Sequence, residues 1–139
     1  MRRIIPDVIK QPQVICLDGQ STVRRASELM RDNNIGAMPI VENGVLKGII
    51  TVNDLTYRVI AEDRDPGSTL VTDVMTPDPD TVSSNTTAIE ALRLMQDGGY
   101  RHLPVVDNEQ LLCVVSRRDF YGLEKARLDD ETSLWERIG

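Results

Sequence analysis

The chain has one histidine, one tryptophan, one phenylalanine and two cysteines in 139 residues. A structural zinc site needs four clustered Cys, His or carboxylate ligands, so a lone His102 and the distant Cys16 and Cys113 argue against one. There is no Cys-x-x-Cys, no Gly-rich phosphate loop and no nucleophile elbow with a Ser/His/Asp set, so enzymatic chemistry is not expected. No apolar run approaches the roughly 20 residues that span a bilayer, which argues against a membrane protein. Met1-Arg-Arg-Ile-Ile-Pro6 is basic, but no long apolar stretch follows it, which argues against a signal peptide. Cys16 and Cys113 both sit among apolar residues and read as buried thiols of a reducing, cytoplasmic compartment. Lys and Arg number 16 against 22 acids, a net charge of −6, the wrong sign for a general nucleic-acid binder. What is present is 40% apolar residues, enough for a packed core in one ordinary domain or two very small ones.

A shift of 65 residues superposes the chain on itself without a gap. Between positions 22 and 55 ten of 34 pairs are identical: Thr22, Ala26, Leu29, Met30, Asp32, Pro39, Val41, Asn43, Leu46 and Asp54 with their partners. Each half carries the same series of patterns. A short apolar strand comes first, at Val14 to Leu17 and near Thr81-Val82. A helix follows, capped by Thr22 or Ser21 in one half and by Thr86 or Thr87 in the other. Val23, Ala26 and Met30 share one helical face, as do Ala88, Ala91, Leu92 and Met95. Strands Ala37 to Val41 and Val45 to Thr51 flank Glu42-Asn43-Gly44, a strong hairpin signal. Leu103 to Val106 and Leu111 to Ser116 repeat that hairpin about Asp107 to Gln110. A last helix starts after Thr51 and again after Ser116.

The expected fold is therefore α+β, two β-α-β-β-α repeats packed about a pseudo-twofold axis, since about 55 residues bury too little to stand alone. Expected boundaries are 1–61 and 73–124 for the repeats, 62–72 for a linker and 125–139 for a helical tail. From Glu62 to Asp80 there are six acids against Arg64 alone, with Pro66-Gly67 and Pro77-Asp78-Pro79, which reads as a solvated connector. In the tail, Asp129-Asp130-Glu131 reads as a helix start, and Leu134, Trp135 and Ile138 share a face that would pack on the module or on a second subunit.

The doubled Ser/Thr-x-x-Asp, Thr51 with Asp54 and Ser116 with Asp119, stands where a strand turns into a helix. Free N–H groups at a helix start favour an anion, a hydroxyl can donate to phosphate, and a carboxylate can accept from both hydroxyls of a ribose. The same spacing is also that of a capping box, and spacing alone does not separate the two. Arg101-His102 precedes a strand at the edge of the cleft between halves, where it forms either a phosphate contact or an exposed basic rim. The first half has Gly36-Ala37 there. Arg117-Arg118 opposes the dipole of the helix it begins, so it either meets further phosphates or pairs with the acidic connector. Val52-Asn53 replaces it in the first half. Apolar slots for a nucleobase would use Ile15, Met38 and Val114 at one site and Ile49, Leu103 and Tyr100 at the other, with ordinary core packing as the alternative.

Two copies of these motifs in order resemble a tandem pair of CBS domains, the Bateman module. The carrying residues are Ile35-Gly-Ala-Met-Pro-Ile-Val41 with Gly48-Ile-Ile-Thr-Val-Asn-Asp54, and Asp73-Val-Met-Thr76, Tyr100-Arg-His-Leu-Pro-Val-Val-Asp107 and Val114-Val-Ser-Arg-Arg-Asp119. The first half departs at its start, with Val8-Ile-Lys-Gln in place of Asp73-Val-Met-Thr76. The resemblance implies that Asp54 and Asp119 hold ribose, that Ala37, Arg101, His102 and Arg118 lie at the ligand, and that backbone near Val14-Ile15 and Pro79-Asp80 reads an adenine edge. It places Thr76 and Lys10 near the entrances. It implies an adenosine-containing ligand (AMP, ADP, ATP or S-adenosylmethionine) with no required cofactor, a homodimer, and an effector protein the sequence does not name. A ligand-independent scaffold for a partner protein is the competing reading. With so few aromatics, an adenine ring would be held by aliphatic side chains and backbone.

Overall fold

The computed structural model describes residues 2–121, so the expected C-terminal helix, Asp129-Asp130-Glu131 and Trp135 lie outside the described residues. Helix α1, Val23–Asn33, starts at Thr22, whose hydroxyl accepts from the Arg25 N–H. It ends at Asn34, which takes the left-handed conformation with φ 52°. Helix α3, Ala88–Gly98, starts at Thr87 in a full capping box with Glu90 and ends at left-handed Gly99. Both helices bury the faces the periodicity marks: Val23, Ala26 and Met30 on α1, and Ala88, Ala91 and Met95 on α3.

Strands β1 (Ala37–Glu42) and β2 (Val45–Thr51) form one antiparallel hairpin, turned through Asn43 and Gly44, both at positive φ. Strands β4 (His102–Asp107) and β5 (Gln110–Ser116) form its counterpart through Asn108 and Glu109. After β2, helix α2 runs as Val52–Asp54 and then in the wider π form as Leu55–Ile60. After β5 comes a 3-10 turn, Arg117–Phe120. Strand β5 lies against β1 and β2, so the two sheets meet across the pseudo-twofold axis.

The first strand of each repeat shrinks to one bridge. Leu17 pairs with Ile40, and Val82 pairs with Val105 in the same way. Val14, Ile15 and Cys16 are exposed, so Cys16 is not the buried thiol that its neighbours suggested. Cys113 is buried, and that burial pushes its thiol up to about 11.

The leading segment of each repeat crosses over to the other's core. Ile4, fully buried, belongs to the core of the second half with Val82, Met95, Leu103, Val105 and Phe120. Val71 and Val74 belong to the core of the first half with Val23, Met38, Ile40 and Ile50. Backbone bonds repeat the exchange: Ala88 N–H donates to the Arg2 carbonyl and Val23 N–H to the Thr69 carbonyl, each at 2.9 Å. The connector is thus not simply solvated. Its acids face outward, while its valines fill the first core and Thr76–Pro77 adds strand β3 to the edge of β2. A Cβ on Gly48 would lie 2.8 Å from the Thr76 carbonyl oxygen, so glycine is what lets β3 approach.

Candidate functional site

Two hairpins meeting at the axis leave a cleft of about 340 Å³ between the halves. The first half supplies Val14, Ile15, Ile35, Gly36 and Ala37, and the second supplies His102, Val114, Ser116, Arg118 and Asp119. Asp119 is held where β5 ends. Its Oδ2 accepts from the Ser116 N–H at 2.7 Å and lies 3.4 Å from the Ser116 hydroxyl. The side chain nevertheless stays exposed on the cleft wall. Capping and ligand binding are therefore compatible at this residue, because one carboxylate oxygen suffices for the cap.

His102 stands on the floor between the halves, with its ring 3.5 Å from where a Cβ on Gly36 would be. Burial lowers its pKa below the ordinary value, Asp119 opposes that, and Arg118 and Arg101 add to it. A second cavity of about 750 Å³ shares Ile35, Gly36, His102, Ser116 and Arg118 with the first and adds Arg101, Arg117 and Tyr100. Three guanidinium groups thus gather beside the cleft that holds Asp119.

The Thr51 and Asp54 side differs. Asp54 is 9% exposed and lies in a complete capping box, its Oδ2 accepting from the Thr51 N–H at 2.8 Å. Its other oxygen faces Arg58 Nε at 3.6 Å. Ile49 is buried, and Thr76 is exposed on β3. The Tyr100 hydroxyl donates to Asp80 Oδ2 at 2.6 Å, which pushes the phenol up to about 12. Lys10 is exposed.

Ile15, Ala37, His102, Val114, Ser116, Arg118 and Asp119 line one cavity, with Arg101 and Tyr100 in the adjoining one. Met38 and Leu103 do not. They are 0% and 1% exposed in the two cores and line neither cavity, because alternation along each strand turns them inward. The residues missed are Ile35, Gly36 and Arg58. Ile35 was readable as the 65-residue partner of Tyr100, and Arg58 as the residue one helical turn after Asp54.

The model of the CBS domain matches residues 7–61 and 71–123, and the chain belongs to that family. It is 37% identical over 107 residues to the CBS domain-containing protein YhcV of Bacillus subtilis, covering 77% of this chain and 76% of that one. It spans about a fifth (19%) of the length of the longer Arabidopsis thaliana relatives CBSCBSPB2 and CBSCBSPB1. Among solved structures it resembles the CBS-domain containing protein ATU1752 of Agrobacterium tumefaciens, with a TM-score of 0.78 and 26% identity over 88% of this chain and 98% of that one. The same fold, at 22% identity and TM-score 0.76 over 87% and 91% of the two chains, occurs in the CBS domain protein PAE2072 of Pyrobaculum aerophilum, solved in complex with AMP. Among the described residues no helix is long and apolar enough to cross a membrane.

Proposed function

We propose that this chain is a regulatory, non-catalytic CBS pair that binds an adenine nucleotide in the cleft between its halves. The carrying observation is the convergence of Asp119, Ser116, Arg118 and His102 with the exposed Val14-Ile15 segment on one cavity built from both repeats. The exposed carboxylate of Asp119 suits a ribose diol. Ile15, Ile35 and Val114 form an aliphatic slot for the base, beside the Val14-Ile15 backbone. His102 and Arg118 take the first phosphate, and Arg101 and Arg117 in the adjoining cavity favour further phosphates over a cationic ligand such as S-adenosylmethionine. The AMP complex of the Pyrobaculum relative supports an adenosine ligand for this fold.

Because the walls come from different halves, a bound nucleotide stabilises the arrangement that brings them together. That differential affinity is the regulatory output. The apolar face of α2, with Tyr57 66% and Ile60 71% exposed, suits a second copy of the chain, as a homodimer of CBS pairs requires. Calorimetry with AMP, ADP, ATP and S-adenosylmethionine tests the reading. Saturable nucleotide binding, lost in Asp119→Ala, is expected; no binding by any of the four overturns it.

A further inference from the structure

The 65-residue offset gives each residue lining the Asp119 cleft a counterpart on the other side of the axis. Ile15 and Ile35 wall the base slot at Asp119, and their counterparts are Asp80 and Tyr100. Those counterparts are joined by a 2.6 Å hydrogen bond, so the matching slot is bridged from wall to wall. Asp119 is exposed, whereas Asp54 is buried. Arg58 stands beside Asp54, and the residue 65 positions after Arg58 is Leu123, which carries no charge. Arg58 also donates through Nη1 to the carbonyls of Val74 at 3.0 Å and Met75 at 3.3 Å, the backbone leading into β3. The carboxylate that would hold a ribose is instead one end of a chain running from Asp54 through Arg58 to the connector.

We propose that the two subsites have divided their roles: the Asp119 subsite takes the nucleotide, while the Asp54 subsite is closed by Arg58 and by the Tyr100–Asp80 bridge and clasps the connector to the first repeat. This rests on the nucleotide reading above, and it sets the stoichiometry at one ligand per chain. Arg117 and Arg118, beside Asp119, have the uncharged Val52 and Asn53 as their counterparts beside Asp54.

The test is calorimetry of the full chain with ATP. Wild type binds one equivalent, and Asp119→Asn weakens binding at least about tenfold, the loss typical of a charge-assisted hydrogen bond. The Arg58→Leu, Tyr100→Phe double variant removes both closures and binds a second, weaker equivalent. Two equivalents in wild type, or no second equivalent in a double variant whose circular dichroism matches wild type, overturns the proposal. If wild type binds no adenosine compound, the nucleotide reading fails, and the clasp is decided by thermal unfolding of Arg58→Leu, Asp54→Asn and their combination. Non-additive losses of Tm support the clasp, and additive ones overturn it.

Discussion

The Arg118 guanidinium reaches across the cleft and donates to the Asn34 carbonyl at 3.4 Å, joining a residue of the second repeat to the end of α1 in the first. Asn34 presents that carbonyl because it caps α1 in the left-handed conformation. The contact is long and exposed, so it contributes little to stability. It does hold a cation over the cavity. Arg118→Ala is expected to leave Tm nearly unchanged while weakening nucleotide binding roughly tenfold or more, because a charge-assisted phosphate contact is lost. Calorimetry paired with thermal melting separates the two effects.

His102 makes binding depend on pH. Burial lowers the pKa of the ring in the free protein, with Arg118 and Arg101 acting the same way against Asp119. A phosphate beside it favours the imidazolium, so binding takes up a proton, and affinity for ATP rises as pH falls from about 7.5 toward about 5.5. His102→Gln flattens that dependence. For the unliganded fold the sign is opposite. Its His102 pKa is depressed, so that stability is present above the unfolded value near 6.5 and is lost as pH falls through the folded one. Melting curves across this range check it.

Gly48 has no room for a side chain: a Cβ would meet Met75 and the Thr76 carbonyl. Gly48→Ala is expected to displace β3 and to destabilise the protein by about 1–3 kcal/mol, the usual cost of overpacking. Denaturant unfolding measures it. The matching position in the second half holds Cys113, a buried side chain, so the converse Cys113→Gly leaves a void there.

The crossed leading segments give a second stability test. Ile4 is fully buried in the core of the second half, although it lies at the start of the first. Ile4→Ala is expected to cost about 2–5 kcal/mol, as for other buried isoleucines. Val71→Ala weakens the first core in the same manner, by less because fewer methyl groups are lost. Unfolding midpoints of the two variants, with hydrogen exchange on β4 and β1, show which half each residue supports.

Tyr100 reports on the Asp80 bridge. The hydrogen bond pushes its phenol up to about 12, whereas an unperturbed tyrosine titrates near 10. Asp80→Asn removes the carboxylate and returns Tyr100 toward that ordinary value in a phenolate absorbance titration, with Tyr100→Phe as the blank. The pKa is raised, so this bridge's stability is present below the unfolded value and is lost as pH rises from about 10 to about 12.

Much of this was written in local pattern. Thr22 and Thr87 cap their helices, Asn43-Gly44 turns its hairpin, and buried positions on α1 and α3 follow a period of 3.6, because each depends on residues within one or two turns of chain. Val14 to Leu17 does not form the strand its pattern predicts. Its apolar run is real, but the backbone makes one bridge, buries Leu17 in the first core and leaves Val14 and Ile15 on the wall of the cleft. Met38 and Leu103 fall in the cores for a related reason: an apolar residue near a site and one in a core look alike until the strand's facing is known.

The amino-acid sequence alone determined the repeat, its 65-residue offset, the order of helices and hairpins, and the doubled Ser/Thr-x-x-Asp. Tertiary structure alone decided which core the leading segment of each repeat enters, that Cys16 faces out, and that Asp119 opens on a cleft while Asp54 is buried. Caps and periods are energies of neighbours in the chain. Exposure of a carboxylate depends on how distant segments pack: Asp119 is left on the wall of the cleft where the repeats meet, and Arg58, which faces Asp54, is fixed on the Val74 and Met75 carbonyls from beyond the repeat boundary.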